Sequence, residues 1–451
     1  MAGNRIDMTE GRIFPKILKF SIPLIFSSVL QLLFNAADTI VVGRFAGDNS
    51  LAAVGSTSSL INLLINLFVG LSVGCNVVVA NFSGSGEKEK INKTVHTSIL
   101  LSFISGIILT LAGILLSRPI LLLMSVPEEV LPLSCLYLQI FFAGITSSVV
   151  YNFGAAILRA KGDTKRPLFI LLISGVINVV LNLIFVICFK MDVAGVSLAT
   201  IISQTFSAVC VLILLSKEKD EFRFEFKKLK LNREILFKII KIGVPAGIQG
   251  IIFSFSNVVI QSTVNSFGAI CVAGNSAAQS IEGFVYISMN SIAQATLTFV
   301  GQNMGAQKLE RVKKVVFQGI VLVSVIGLVL GIGVCLADDA LISIYTKNSE
   351  VIASAKQRLV IICGTYFLCG IMDVMANSIR GMGYSFLPMI ITLVGACGIR
   401  LLYLFTFFKI SRFATFQNIF ISYPVSWAIT FFALLIVFKQ VIKKVTKKNN
   451  F

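Results

Sequence analysis

Long apolar segments separated by short polar ones dominate the chain. Each carries few charges, and none alternates apolar and polar residues with a period of two. A helix of about 20 residues, rising 1.5 Å per residue, crosses the ~30 Å hydrocarbon core of a bilayer. The pattern predicts an all-α integral membrane protein with about twelve spans. They lie near 16–43, 51–80, 94–117, 131–157, 167–189, 194–216, 239–267, 271–300, 315–337, 354–379, 388–408 and 415–438.

The composition of the 451-residue chain supports a membrane location. Hydrophobic residues make up 56% of it and charged residues only 13%, whereas soluble domains average about 25% charged residues. Only helices and closed barrels satisfy their backbone hydrogen bonds within a bilayer. Because the apolar segments lack the alternation of barrel strands, the composition and pattern together favour a helical bundle.

Positive charge is concentrated in alternate polar segments. The formal net charge is +18, and most lysines and arginines lie on the cytoplasmic side if the N-terminus is cytoplasmic. The positive-inside rule then predicts that both termini are cytoplasmic, and the Lys-rich, Trp-poor composition suggests a bacterial plasma membrane. We expect contact with anionic membrane lipid and no binding of nucleic acid. The basic clusters lie at Lys88–Lys93, Arg159–Arg166, Lys217–Lys241, Lys308–Lys314 and Lys439–Lys448.

The two halves of the chain share landmarks at a nearly constant spacing. An Arg-x-x-Gly-x-x-x-x-Pro pattern in the first half recurs in the second, and an early proline recurs at almost the same spacing. A glycine-containing turn at Gly86 resembles one at Gly305, at a slightly smaller offset. Such self-similarity indicates a tandem repeat. The other matched pairs are Arg159 and Arg380, Gly162 and Gly383, Pro167 and Pro388, and Pro23 and Pro245.

The repeat predicts two lobes of six helices each. Residues 1–220 form the first lobe, residues 221–238 a cytoplasmic linker, and residues 239–451 the second lobe with a basic cytoplasmic tail. Because each lobe has an even number of spans, both have the same orientation, and we expect a central cleft between them. The linker alternates charged residues with phenylalanine, which predicts a segment lying at the lipid surface.

A polar stripe runs along the first predicted span and ends in a carboxylate. Gln31, Asn35 and Asp38 are spaced i, i+4 and i+7, so they share one face of a helix. A charge in the membrane costs at least about 2.5 kcal/mol and is tolerated mainly beside water or a partner. The stripe therefore suggests a surface that handles a cation or a proton, although Asp38 could also pair with Arg44 near the helix end.

The motifs resemble those of the MATE (multidrug and toxic compound extrusion) family of transporters, in its bacterial NorM-like branch. The resemblance covers essentially the whole chain, including the number of spans and the repeat, and the motifs follow the family's order and spacing. They are Phe20–Pro23, Asn35–Gly43, Leu51–Gly55, Leu158–Asp163 with its repeat copy, and Phe299–Gly305.

The resemblance implies secondary active efflux, in which organic cations or amphipathic drugs are exchanged for inward H⁺ or Na⁺. It also implies an ion-coupling site at Asp38, Asn178, Asn182 and Thr200. Some family members carry a second carboxylate at the position of Asn182, and others an acidic residue on the seventh span, which this chain lacks. Gln31 and Asn35 are candidates for substrate contact or secondary coupling.

Three charged residues lie deep within predicted spans of the second lobe. Glu282 and Asp373 are candidates for substrate attraction or secondary coupling, or for buried structural groups. Arg400 needs a partner in the membrane, and either carboxylate could form a structural or gating salt bridge with it. Asp373 could instead pair with Arg380 on its own helix.

Other classes of function lack their signatures in this sequence. There is no Cys/His cluster for a metal site beyond possible Na⁺, no ATP-binding P-loop and no clustered catalytic groups. We therefore expect a monomeric transporter with no cofactor rather than an enzyme. The alternative is a lipid-linked oligosaccharide flippase, which would need a strongly cationic cleft; few lysines or arginines lie within the spans.

Overall fold

The structure is a computed structural model that describes residues 5–124, 126–410 and 414–449, apart from the side chains at 48, 59, 62, 63, 409, 448 and 449. The last residues of the predicted basic tail, 450 and 451, and residues 1–4 of the predicted first lobe lie outside this description. The predicted all-α fold is confirmed. Long helices joined by short turns make up almost all of the described chain.

The first repeat contains six long helices. The fifth continues into one π-helical turn, Ile184–Cys188, and a short 3₁₀ turn, Phe226–Lys228, lies in the linker that follows the sixth. The helices are α1 (Ile13–Phe45), α2 (Asp48–Ser85), α3 (Lys88–Leu123), α4 (Leu131–Lys161), α5 (Lys165–Leu183) and α6 (Asp192–Ser216).

The second repeat has the same order with two interruptions. A short helix follows α9, and the fifth span is broken by a π-helical turn, Leu393–Gly398, and ends near a 3₁₀ turn, Phe407–Lys409. The helices are α7 (Arg233–Asn265), α8 (Ala269–Gly305), α9 (Leu309–Leu336), α10 (Asp338–Ser343), α11 (Ser349–Gly381), α12 (Phe386–Thr392), α13 (Ile399–Phe405) and α14 (Phe416–Asn449).

Eleven helical segments in the described chain are long and apolar enough to cross a membrane, with α12 and α13 counted as one. The remaining predicted span corresponds to α8, whose 37 residues exceed the length that a bilayer requires. Polar side chains lower its hydropathy, but many of them, including Asn275 and Glu282, are buried against the neighbouring helices α9 and α11. Because these neighbours shield it, α8 does not need an apolar surface on every side.

The turns between helices repeat at the spacing that separates Arg159 from Arg380. Gly47 and Gly268 have φ values of 86° and 89°, and each directly precedes the second helix of its repeat. At the next turn, Gly86 has φ 72° and its counterpart is Gln307 with φ 57°. The left-handed residue of the second turn is therefore Gln307 rather than Gly305, the glycine that the sequence comparison matched to Gly86.

Contacts divide the chain into two compact units that do not coincide with the two repeats. The first unit is Phe26–Gly247 with the segment ending at Ile6, and the second is Asp7–Ile25 with Ile248–Phe451. Helix α1 therefore begins in the second unit and ends in the first, and α7 does the opposite. These units follow packing, whereas the predicted lobes follow the repeat, so the lobe boundary at the linker stays a prediction.

Glycines bring α2 and α7 into backbone contact within the first unit. A Cβ at Gly70 would lie 2.2 Å from the Gly247 nitrogen, and one at Gly74 would lie 2.4 Å from the Ile239 oxygen. Gly70 and Gly74 are four residues apart, as are Gly243 and Gly247, so small residues line both sides of the contact. This is the spacing by which membrane helices approach closely.

The linker between the repeats, residues 217–232, is docked on α3. Phe222 and Phe224 are 0% and 1% exposed, so the prediction that the linker's phenylalanines lie at the lipid surface is wrong for both, whereas Phe226 and Phe237, the latter on α7, are exposed. The Glu225 N–H donates to His96 Nε2 at 3.1 Å, and His96 Nδ1 lies 2.8 Å from the Asn92 oxygen. A hydrogen bond from Lys228 lowers the pKa of Glu225.

Candidate functional site

The Asp38 carboxylate of α1 accepts a hydrogen bond from the Asn182 amide of α5. Asp38 is partly buried and Asn182 is completely buried. Their pairing places a carboxylate inside the helical bundle with a neutral donor rather than a cation, and no ion pair of Asp38 occurs among the described residues. Arg44, which the sequence offered as an alternative partner, is exposed.

The other two predicted coupling residues extend this contact into a chain of hydrogen bonds. Asn182 Nδ2 lies 3.3 Å from Asn178 Oδ1, and Asn178 Nδ2 lies 3.3 Å from Thr200 Oγ1 on α6. The Thr200 hydroxyl donates to the Val196 carbonyl at 3.0 Å. The structure thus brings together all four residues, from three helices, that the family resemblance indicated.

One atom of this cluster lacks a hydrogen-bond partner within the described chain. Asn182 Oδ1 is buried, and no donor reaches it, although buried acceptors are nearly always satisfied. Together with the oxygens of Asp38, Asn178 and Thr200, it forms a set of carboxylate, amide and hydroxyl ligands. Such oxygens suit a hard cation, so the residues present fit Na⁺, and the carboxylate alone fits a proton.

A glycine permits the close approach of α1 and α5 beside the cluster. A Cβ at Gly175 would lie 1.7 Å from the Phe34 ring, which occupies the space above the helix backbone. Gly175, Asn178 and Asn182 are spaced i, i+3 and i+7 and therefore share one face of α5. Phe34 and Asp38 are likewise one helical turn apart on α1. The contact of Phe34 with Gly175 therefore positions the Asp38 carboxylate beside the Asn182 amide.

Asp38 also lies on the wall of a cavity of about 320 Å³ within the first unit. The sequence had indicated Asp38, Asn35 and Thr200 among its lining residues, whereas Gln31 is exposed and does not line it. Gln204 was missed, although it lies one turn after Thr200 on the same helix. Nothing in the sequence distinguishes the aromatic lining residues Tyr137 and Phe141 from aromatic residues that only pack in the core. The polar and aromatic lining residues are Asn35, Asp38, Thr39, Tyr137, Phe141, Ser58, Ser148, Thr200 and Gln204.

In the second unit, Glu282 is paired with an arginine that no pattern in the sequence indicates. Both oxygens of Glu282 accept from Arg358 of α11, at 3.1 Å from Nε to Oε2 and in a shorter contact from Nη2 to Oε1. Arg358 Nη1 donates to Asn275 Oδ1 at 2.7 Å. The suggested pairing of Glu282 with Arg400 is therefore wrong, because both carboxylate oxygens of Glu282 are hydrogen-bonded to Arg358.

Asp373 and Arg400 do not form a direct ion pair. Asp373 is partly buried and hydrogen-bonds to Asn290, with Arg380 and Arg400 as the neighbouring positive charges. Arg380 instead donates to Gln249 Oε1 at 2.7 Å and to Asn377 Oδ1 at 2.9 Å. No ion pair of Asp373 within 4.0 Å occurs among the described residues, so neither suggested salt bridge of Asp373 forms.

Many membrane-spanning helices in two tandem repeats, with a polar cluster and a cavity inside the bundle, define a multi-pass membrane transporter. The chain belongs to the MatE family, because that family's model matches residues 23–184 and 245–406. The two matches begin at Pro23 and Pro245, which confirms the spacing of the repeat. Members of this family are transporters and not enzymes.

Relatives and solved structures support this membership. The chain is 27% identical over 432 residues to the probable multidrug resistance protein YoeA of Bacillus subtilis (strain 168), covering 94% of this chain and 93% of YoeA. It is 25% identical to the probable multidrug resistance protein NorM of Thermotoga maritima, covering 86% and 84%. A structure described as an outward-facing multidrug resistance MATE transporter has the same fold, with a TM-score of 0.91, 22% identity and 98% coverage of both chains.

Proposed function

We propose that this protein is a secondary active multidrug efflux transporter that exchanges organic cations or amphipathic drugs for inward H⁺ or Na⁺. The observation that carries the proposal is the position of Asp38. Its carboxylate contacts Asn182 on one side and lies on the wall of the cavity on the other. One acidic group can therefore interact both with the coupling ion and with a ligand in the cavity.

The exchange mechanism follows from the charge of this group. A carboxylate inside the bundle, with no cationic side chain paired to it, favours binding of a proton, of Na⁺ or of a cationic substrate. When the ion binds, the negative charge is neutralised and a cationic ligand in the cavity loses its electrostatic partner. Ion and substrate then stabilise different states of the protein, which is the thermodynamic basis of exchange.

Names of relatives support the substrate class, and the cavity supports it independently. YoeA and NorM are both described as probable multidrug resistance proteins. Among the cavity's lining residues there are two aromatic rings and one carboxylate but no lysine or arginine. This lining suits flat amphipathic cations and disfavours the anionic pyrophosphate that a lipid-linked oligosaccharide flippase would bind.

The basic clusters support an orientation with both termini in the cytoplasm, in the plasma membrane of a bacterium. The linker, with Lys227 and Lys228 exposed, would then lie on the cytoplasmic side beside anionic lipid. The monomer is the functional unit in this proposal, because one chain contains both repeats.

Transport in proteoliposomes tests the proposal. We expect efflux of ethidium to follow an imposed H⁺ or Na⁺ gradient in the wild type and to be lost in Asp38→Asn, which retains the shape but not the charge. Asp192→Asn is a matched control, because Asp192 is exposed at the start of α6. Gradient-independent transport, or full coupling in Asp38→Asn, would contradict the mechanism.

A further inference from the structure

Gln204 of α6 lines the cavity in the first unit and is partly buried there. Its side-chain amide has no hydrogen-bond partner among the described residues. Its neighbours on α6 are bonded within the protein: Ser203 donates to the Thr200 carbonyl at 2.9 Å, and the Thr205 hydroxyl lies 3.0 Å from Ser147 Oγ. Gln204 therefore presents an unpaired amide to the cavity.

The packing of α4 against α6 keeps Gln204 on the cavity side. A Cβ at Gly144 would lie 2.3 Å from Ile201 Cγ1, and one at Gly154 would lie 2.7 Å from Val211 Cγ1. Both pairs are separated by the same number of residues, so the two helices run parallel and in register. Ile201 itself lines the cavity, and Gln204, three residues further along, shares its helix face.

The cavity wall combines this amide with one carboxylate. Asp38 supplies the charge that attracts a cation, and neither lysine nor arginine lines the cavity. Thr200 belongs to the hydrogen-bonded cluster of Asp38, and Gln204 lies about 6 Å further along the axis of α6. A ligand that contacts the cluster and is longer than one helical turn therefore reaches Gln204. An amide can turn its oxygen towards any N–H donor that such a ligand carries.

We propose that Gln204 determines which organic cations the cavity prefers, by accepting a hydrogen bond from cationic substrates that carry N–H groups. Such amines and amidines satisfy both the charge of Asp38 and the oxygen of Gln204. A fully alkylated cation satisfies only the charge and leaves the amide unpaired after displacing water, which is costly. The inference rests on the proposed function for the identity of the ligand as a transported cation, and it narrows the substrate class.

Two acridine dyes that differ only in methylation test this directly. Proflavine has two exocyclic NH₂ groups, acridine orange has dimethylamino groups in their place, and both are flat cations at neutral pH. Fluorescence titration of each dye with the purified protein gives two dissociation constants, whose ratio measures the preference for N–H donors. Because methylation also changes apolar contact, the quantity that decides is the change of this ratio between variants.

Gln204→Leu nearly keeps the size of the side chain and removes the amide. We expect the preference for proflavine to fall about three- to tenfold relative to the wild type, as for one hydrogen bond. Gln204→Glu retains acceptor oxygens and should keep the preference while binding both dyes more tightly. Gln139→Leu is the matched control, because Gln139 is exposed on α4 and does not line the cavity. Gln204→Met replaces Gln204→Leu if the latter does not fold.

An unchanged ratio in Gln204→Leu, or an equal loss in Gln139→Leu, would overturn the inference. Asp38→Asn locates the dyes, because it should weaken both by the same factor. Dyes that bind this variant as tightly as the wild type lie outside the cavity, which would also overturn it. Ethidium transport under an imposed gradient is measured separately. Its absence in the wild type contradicts the proposed function, whereas the dye ratio, measured without a gradient, decides the role of Gln204.

Discussion

Gly162 and Gly383 occupy the same place in the two repeats, and both have a left-handed backbone, with φ values of 101° and 90°. Each follows the fourth long helix of its repeat, where a reversal of the chain leads into the next span. They differ in their surroundings. A Cβ at Gly162 would lie 2.5 Å from the Ile6 carbonyl oxygen, whereas no atom lies within 4 Å of one at Gly383.

Alanine at either glycine should destabilise the protein, and more at Gly162. The left-handed conformation costs a residue with a side chain about 1–2 kcal/mol, and Gly162→Ala adds a clash with backbone. We expect the melting temperature in detergent to fall for both variants, further for Gly162→Ala. Gly364→Ala, on α11 with nothing within 4 Å, is the control and should be neutral or stabilising. An equal effect at all three positions would contradict this interpretation.

The contact between Gly175 and Phe34 should determine how the Asp38 carboxylate is positioned relative to the Asn182 amide. Gly175→Ala forces the Phe34 ring away from α5, so we expect gradient-driven transport to fall at least tenfold. Combining it with Phe34→Leu, which removes part of the ring, should restore a measurable share of activity. The comparison is made on proteins of matched expression and melting temperature. A double variant no more active than Gly175→Ala would argue against steric control of the ion site.

The pair formed by Glu282 and Arg358 should be strongly coupled. Removing one partner leaves an uncompensated buried charge, which typically costs about 3–5 kcal/mol. We expect Arg358→Met to destabilise the protein severely and Glu282→Gln in the same chain to recover part of the loss. Thermal unfolding of the two single variants and the double variant measures the coupling. Additive effects would mean that the pair contributes nothing as a pair.

Docking of the linker should depend on His96. His96→Phe keeps the ring that packs 5.6 Å from Phe224 but cannot accept the Glu225 N–H. Loss of one such hydrogen bond, about 0.5–1.5 kcal/mol, predicts that trypsin cuts at Lys227 and Lys228 roughly three to ten times faster. Glu221→Gln leaves both His96 and the pairing of Glu225 with Lys228 in place and should be cut at the wild-type rate. Equal rates in all three proteins would show that His96 does not hold the linker.

The sequence was sufficient for features that depend on position along one helix. Hydropathy gave the spans, the nearly constant spacing of matched residues gave the repeat, and the spacing of Asn178 and Asn182 placed both amides on one face of α5. Asp38 stood out because a lone carboxylate in an apolar segment is costly. These properties are local or periodic, so a one-dimensional pattern records them.

Contacts between helices were not predictable in the same way, because they depend on how each helix is rotated against its neighbours. Arg358 lies in the tenth predicted span, yet nothing in its spacing indicates that it faces Glu282 rather than lipid. Tyr137 and Phe141 look like any other aromatic residues until the cavity beside Asp38 is seen. The linker illustrates the converse: its alternating phenylalanines suggest lipid, but Phe224 packs beside His96 of α3 and Phe222 beside Lys161 of α4, and both rings are buried.

The chain passes from one compact unit to the other within α1 and again within α7, in each case close to a proline. Of the boundaries that fall inside a helix, one lies between Ile25 and Phe26, shortly after Pro23, and the other between Gly247 and Ile248, shortly after Pro245. A proline removes one backbone hydrogen bond and weakens the helix at that point. The repeated proline therefore leaves both helices with one backbone hydrogen bond fewer close to the residue at which they pass from one unit to the other.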